Sequence, residues 1–528
     1  MKKLLAMFVF IIPVMALAEV DYFGNSDASI IPEIHTISCR ADTPAGWRDD
    51  ERLSLNDAKE SISPRGVADG LGRIHVVWKD NRRLHGRDEI HYRVRIDTIW
   101  DTLCAVSNLD TVHNSPWIAV DKKNNLHVVF LRWFGTPYAY YDLGYRKYND
   151  SLGSWESEER ITYYDSIGLA GRPKVLCDTN DVVYAFWLNE RDTPITIWYS
   201  TNNGAGWSPQ MPVTDVSDSP NGYFGVAVAP DNKIHCVYQD YRTGTPELYH
   251  RYYQGGSWSS AQAVINNGFS SVYPRLAADT LNDIHLVYGG GSSLTEKIHY
   301  LVWDSNTQTW GAETKFPSQM ALPHVDIAVS PLDSDVHLTF HESISSHMEI
   351  MYKHYDAQTS QWEPNVQLTF NYPDIRLDPQ ICLDPDDYVQ LFWWDQRDGT
   401  GQEEIYYKTN RITPQVIEET DYASAHSMTL SAEPNPFRQM TEIRWQPALL
   451  RKAMPGTTDN RSPKADSRLQ LKIYDVSGRL VKYFSVPTTY SLVPTVVSWD
   501  GSDCPAGVYI VNLGKVAINT SLKLIKIE

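Results

Sequence analysis

Pro64-Arg65-Gly66-Val67-Ala68-Asp69, Ile74-His75-Val76-Val77-Trp78, Ile90-His91-Tyr92 and Trp100 make up one unit, which recurs along most of the 528-residue chain. The first run is built of small residues and follows a proline. It returns as Pro116-Trp117-Ile118-Ala119-Val120-Asp121 and at Pro173, Pro274, Pro323 and Pro379, with a looser copy around Gly225-Val226-Ala227-Val228. A turn of Asp, Asn and Gly follows, residues that bond their own backbone in turns. The apolar-His-apolar-apolar-aromatic run returns at Leu126, Val183, Ile234, Ile284, Val336 and Val389. Ile-x-Tyr returns as Ile197 and Tyr199, Ile298 and Tyr300, Ile350 and Tyr352, and Ile405 and Tyr407. Trp47, Trp100, Trp155, Trp207, Trp258, Trp310 and Trp362 keep time, with gaps of 53, 55, 52, 51, 52 and 52 residues.

A period near 50 means one structural unit repeated. Short β-rich runs bounded by turn signals are strands. Four strands in each of seven units predict an all-β, seven-bladed β-propeller; a six-bladed ring with one degenerate unit is the alternative. The last unit ends near Lys408 without its tryptophan, and the first tryptophan precedes the first full unit. Trp47-Arg48-Asp49-Asp50-Glu51-Arg52-Leu53-Ser54 matches Trp155-Glu156-Ser157-Glu158-Glu159-Arg160-Ile161-Thr162. The N-terminal strand is therefore expected to close the last blade, removing open sheet edges. His75, His127, His235, His285 and His337 share one repeat position. They are read as a packing position rather than metal ligands, because a shared ion needs several ligands within about 2 Å. The Trp and Tyr series are read as core between blades.

Lys2 and Lys3, the apolar Leu4 to Val14, and Ala16-Leu17-Ala18 read as a secretory signal peptide, residues 1–18, cut before Glu19. No later run is apolar for long enough to be a spanning helix. Net charge is −18, against nucleic acid as a partner. Six cysteines show no metal spacing and select no disulfide. No cofactor and no metal is expected, and a monomer is expected.

Ser200-Thr201-Asn202-Asn203-Gly204-Ala205-Gly206-Trp207 resembles the Asp-box of sialidase-like (BNR-repeat) propellers, with Asn202 in place of the usual Asp. The resemblance implies a structural turn between the third and fourth strands of a blade. It also implies that binding sites lie on the opposite face, where the first strands begin. The candidate ligand residues there are Arg65, Trp117, Arg172, Lys174, Arg275 and His324, with Gln380 beside them. Guanidinium groups bind carboxylate in a bidentate fork, so an arginine cluster suits an acidic sugar. The repeated Asp80 and Arg82, Asp240 and Arg242, and Asp395 and Arg397, with Glu190-Arg191, are read as turn structure. The sialidase Phe/Tyr-Arg-Ile-Pro motif has no clear counterpart near the chain's start.

The propeller is assigned to residues 19–413, a linker to 414–429 and a small C-terminal β-sandwich to 430–528. Pro434-Asn435-Pro436-Phe437, Tyr474-Asp475, Gly478-Arg479, Trp499, Gly507 and Tyr509 resemble the type A C-terminal sorting domain of bacterial type IX secretion cargo. That resemblance implies export through the periplasm to the medium or outer cell surface, with the type IX machinery as partner. The expected function is binding of a glycan or surface protein. The alternatives are a carbohydrate-active enzyme, glycosidase or polysaccharide lyase, with His324 and Arg275 as the pair to inspect, and a surface-layer scaffold.

Overall fold

The computed structural model describes residues 43–411 apart from 56–58, 82–87, 98, 102, 108–111, 135–139, 164–169, 191–193, 266–267, 291–295, 321, 346, 371–375 and 399–401. In the C-terminal part it describes 429–433, 438–446, 469–475, 480–486, 495–500, 502, 504–515 and 518–526. The expected signal peptide 1–18 lies outside the described residues. So do most of the linker and Pro434, Asn435, Pro436, Phe437, Gly478, Arg479, Arg82 and Arg191.

Seven antiparallel blades form one ring, and no helix occurs among the described residues. Their first strands are Ser61–Ala68, Val112–Val120, Ala170–Cys177, Pro220–Val228, Ser271–Ala278, Val325–Val329 and Arg376–Leu383. Each packs against the first strand of the next blade, and Arg376–Leu383 packs back on Ser61–Ala68. The second strands, such as Ile74–Asp80 and Ile234–Asp240, are buried on both faces, as neighbouring blades cover them. The fourth strand is mostly split into two short pieces, as in Ser154–Trp155 and Glu159–Arg160.

The ring closes as the sequence implies. Glu51 pairs with Tyr407 and Arg52 with Tyr406 in blade 7. Ser54 Oγ accepts from Ile405 N–H at 2.7 Å, as Thr162 Oγ accepts from Leu143 N–H at 2.8 Å in blade 2.

The periodic tryptophans join blades. Trp100 stands edge-on to Tyr407, Trp155 to Tyr92 and Trp207 to Tyr145, at 5.1, 5.2 and 4.9 Å between ring centroids. Trp258 meets Tyr199 at 5.7 Å, Trp310 meets His250 at 5.3 Å and Trp362 meets Tyr300 at 5.1 Å. Trp47 meets Tyr352 at 5.0 Å. Each tryptophan thus touches the third strand of the preceding blade, in the edge-to-face geometry that the ring quadrupole favours.

The histidine series is likewise internal. His75 bonds the Tyr92 hydroxyl at 2.8 Å and Asp69 at 3.1 Å; His127 bonds Tyr145 at 2.7 Å and Asp121 at 3.2 Å. Asp69 Oδ1 meanwhile accepts the N–H groups of Leu71 and Arg73, both at 2.9 Å. The carboxylate therefore holds a turn and orients a buried imidazole.

The turns between first and second strands are also tied to one another. Gly70 N–H donates to Asn124 Oδ1 at 2.9 Å and Lys122 N–H to Asp181 Oδ1 at 3.0 Å. Thr179 N–H donates to Asn232 Oδ1 and Asp231 N–H to Asn282 Oδ1, both at 2.8 Å. The four acceptors lie in the left-handed region, φ 62 to 70°, where Asn and Asp are the best tolerated non-glycine residues. This girdle runs from blade 1 through blade 5. Ser330 Oγ donates to Asp387 at 2.9 Å between blades 6 and 7.

In the C-terminal part, Thr429–Glu433, Met440–Gln446 and Thr495–Asp500 form one sheet. Leu480–Val486, Leu469–Asp475, Gly507–Lys515 and Ile518–Lys526 form another. Buried Trp499 and Tyr509 meet edge-on between the two at 5.2 Å, consistent with the expected sandwich. The Tyr509 hydroxyl donates to Pro505 O at 2.6 Å.

Candidate functional site at the ring axis

All first strands begin on the same face, and a register irregularity lies near that end of blades 1 to 5 and 7, of the kind that re-aims side chains locally. Ser63, Ser115, Arg172, Tyr273 and Asp378 there have φ between 51 and 57°. The strain recurs from blade to blade, so it belongs to the propeller rather than to a particular chemistry.

Register defines two tiers. The inner tier pairs with the residue two past the periodic histidine position. It comprises Arg65, Trp117, Lys174, Gly225, Arg275, Asp326 and Gln380, one from each blade. The outer tier lies two residues earlier: Ser63, Ser115, Arg172, Tyr223, Tyr273, His324 and Asp378. The sequence set Arg65, Trp117, Lys174 and Arg275 thus belongs to the inner tier, while Arg172 and His324 belong to the outer one. Pro323 misaligns blade 6, because it lies three residues before the inner-tier position rather than one, and the turn Ser330–Asp335 is one residue longer than Asp69–Arg73. Asp326, not His324, is the partner in place of Arg275. Counting back from His337 across that longer turn would have located it. Tyr223, Tyr273 and Asp378 were also missed; each precedes the position on which the sequence reading focused.

Trp117 lies at the axis, since cations from three other blades approach its indole. Lys174 Nζ is 3.1 Å from the ring centroid, Arg65 Cζ 4.8 Å and Arg275 Cζ 5.7 Å, within cation–π range. Arg65 forks onto Asp378 at 2.9 and 3.4 Å. Arg275 Nε lies 3.6 Å from Asp326, whose other oxygen accepts Ile381 N–H at 3.0 Å. Gln380 Oε1 accepts Gly66 N–H at 2.7 Å. Gly225 supplies no side chain, and a Cβ there would lie 2.8 Å from Pro274 O of the next blade.

Burial, then the charges of Arg275 and Arg65, pushes the Lys174 amine well below its ordinary value. Burial lowers Arg275 and raises Asp326. Burial also pushes Asp378 up, but the charge and hydrogen bond of Arg65 outweigh it and hold the carboxyl low.

The outer tier is a continuous arc. Arg172 Cζ lies 3.6 Å from the Tyr223 ring centroid, Tyr223 meets Tyr273 at 4.3 Å, and Tyr273 meets His324 at 4.4 Å. His341 backs His324 at 5.2 Å. Burial lowers His324 despite Asp378, and burial with His324 lowers His341 to about 3; both imidazoles are neutral at pH 7. Arg172 is exposed, and Tyr223, Tyr273 and His324 are half-buried. The arc therefore offers one cation, two phenol rings and a neutral imidazole to a ligand on this face.

The Asp-x-Arg series is turn structure where described. Asp240 accepts Arg242 N–H at 2.8 Å and its guanidinium at 2.6 Å. Asp395 accepts Arg397 N–H at 2.9 Å and Nε at 2.8 Å. In the Asp-box segment Asn202 Oδ1 accepts Gly204 N–H at 2.8 Å, and Asn202 bridges to Trp207, on the face opposite the arc.

No protein-family profile and no curated protein matches the chain. Among solved structures, a polysaccharide lyase of family PL25, an ulvan lyase, aligns with a TM-score of 0.49 and 11% identity, over 69% of this chain and 94% of that one. An α-L-arabinanase of Penicillium chrysogenum in complex with arabinobiose aligns at 0.42 and 13%, over 60% and 99%. The NanB sialidase of Streptococcus pneumoniae aligns at 0.38 and 10%, over 69% and 70%. Likeness at this level transfers no residue roles.

Proposed function

We propose that this protein is a secreted or cell-surface propeller that binds a glycan across the arc Arg172, Tyr223, Tyr273 and His324. The observation that carries the reading is the continuity of that arc. Sugar rings stack on aromatic faces with their polar groups still available, and an exposed guanidinium at one end supplies a directional donor. The test is a glycan array on residues 19–528, with product analysis of each hit. Intact release supports a binding module, and loss of binding in Arg172→Ala and Tyr273→Ala locates it. No hit sinks the glycan reading and leaves a surface protein as ligand or a scaffold role.

A second reading, a lyase, is favoured by one observation. Neutral His324 touches Tyr273, and the charges of Arg275, Arg65 and Arg172 reach it, so a base lies in the field of cations that can neutralise a uronate. An unsaturated product on any hit would select it, and His324→Gln would then abolish turnover.

Export belongs to the same proposal. Residues 1–18 direct the chain to the periplasm, and residues 430–528 address it to the type IX machinery as a monomer. Support comes from the sequence motifs and from Trp499 and Tyr509 serving as core of a β-sandwich. Deleting residues 430–528 in the native host is expected to strand the propeller in the periplasm; unchanged export would remove this part.

A further inference from the structure

Lys174 is the odd member of the axial cluster. Its side chain lies on the Trp117 indole, and the residue is only 6% exposed. Arg65 is matched by Asp378 and Arg275 by Asp326. Two cations face two anions, and among the described residues Lys174 makes no ion pair or hydrogen bond of its own, although the charges of Asp326 and Asp378 reach it. Among the described residues Arg65 Nε is also buried without a hydrogen-bond partner. Buried ammonium groups are almost always paired, because an isolated charge away from water is costly. An unpaired lysine beside two guanidinium groups, one with a spare N–H, is arranged to receive an anion that the chain does not supply.

We propose that Lys174 makes the ring axis a proton-coupled anion site, in which one compact oxyanion of the ligand enters together with one proton. The inference rests on the glycan reading and deepens it by naming what regulates the site. The free cluster is neutral when Lys174 is an amine, the state its burial and its two arginine neighbours favour. Protonating Lys174 alone leaves one uncompensated charge; adding an anion alone leaves another. Adding both restores neutrality, so each raises the affinity for the other by the same factor. The groups facing Lys174 are Arg65 from blade 1, Trp117 from blade 2, Arg275 from blade 5, Asp326 from blade 6 and Asp378 from blade 7. His324 and Arg172 lie one tier out, and blade 4 contributes only Gly225. The arginines stay protonated at any working pH. Lys174, whose amine burial pushes down, Asp326, whose carboxyl burial pushes up, and His324 are thus the groups able to take up the proton. The chemistry is shared by a carboxylate on a sugar and a free inorganic oxyanion.

The experiment is titration calorimetry on residues 19–528 near pH 7, in two buffers of different ionisation enthalpy. The probes are glucuronate, inorganic sulfate and glucose. Either anion is expected to bind with uptake of close to one proton, and glucose is not. Tighter binding of glucuronate assigns the anion to a sugar; tighter binding of sulfate assigns it to a free ion. Affinity should fall about tenfold per pH unit as pH rises above the free-state value of Lys174. Lys174→Met fills similar volume without charge and is expected to weaken anion binding at least tenfold and abolish proton uptake, with the melting temperature maintained. Lys174→Arg should bind without uptake. The proposal is overturned by anion binding without proton uptake in the unaltered chain, by binding of neither anion, or by uptake that survives Lys174→Arg and disappears in His324→Gln. Array hits lost in Arg172→Ala but kept in Lys174→Met would leave the glycan reading standing and remove this one. Sulfate binding with proton uptake and no array hit would do the reverse.

Discussion

The two rims of the ring are built on opposite plans. On the girdle rim the turns largely repeat: Asp69, Asp121, Asp178, Asp279 and Asp384 each hold their own turn, and Asn124, Asp181, Asn232 and Asn282 each accept from the turn of the preceding blade. On the axial rim, structurally equivalent positions hold Arg65, Trp117, Lys174, Gly225, Arg275, Asp326 and Gln380. Repetition solves the same packing problem blade after blade. Variation at a converging position is not required by blade packing, and it is the feature on which the proposed ligand site rests. If the axial rim binds the ligand as proposed, stability and recognition lie on different faces, and their mutations should separate too.

The hardest test removes closure. Without residues 19–55 blade 7 loses Glu51–Arg52 and the Trp47 contact, and exclusion chromatography should show aggregates. A folded, monomeric truncation would break the account of ring stability.

Acid should come next. His235, His337 and His341 are held by burial at about 3, against about 6.5 in the unfolded chain. A depressed histidine means the unfolded state binds more protons between those values. Stability is therefore full above about pH 6.5 and is lost progressively as pH falls toward 3. Asp121, at about 2, adds a loss in the same direction below about pH 4. A melting temperature flat from pH 7 to 4 would contradict this burial.

Trp155→Ala should cost about 3 kcal/mol, read by denaturant unfolding. It sits at the low end for tryptophan because the ring is only half-buried against Tyr92 and Tyr148. Asn232→Ala removes the acceptor shared by Thr179 N–H and Oγ and should cost about 1 to 2 kcal/mol with ligand binding intact. Arg172→Ala should change stability by less than about 0.5 kcal/mol while abolishing glycan retention. If Asn232→Ala abolished binding, or Arg172→Ala unfolded the ring, the separation of the rims would fail.

Much of the scaffold was legible because a repeat writes its nearest-neighbour contacts into every copy. Trp47 could be placed in blade 7 by its resemblance to Trp155, and the ring centroids of Trp47 and Tyr352 confirm it. The axial set was legible only in part. Arg65, Trp117, Lys174 and Arg275 were gathered because they follow a proline, which marks the register. Blade 6 has its proline displaced and blade 4 has none at that position, so Asp326 and Tyr223 escaped, while Tyr273 escaped because it stands before Pro274 rather than after it.

The chain's own sequence determined the blade, the number of blades and the strand that joins the ends, because those depend on period and on residues a few positions apart. Tertiary structure alone decided that Lys174 would lie on Trp117 with no counter-ion, while Arg65 and Arg275 found theirs in blades 7 and 6. Those contacts join residues 51 to 313 positions apart, each an ordinary variation within its own repeat. Their meaning arises only where seven strands converge on one axis, and charge neutrality there is a property of the ring rather than of any blade.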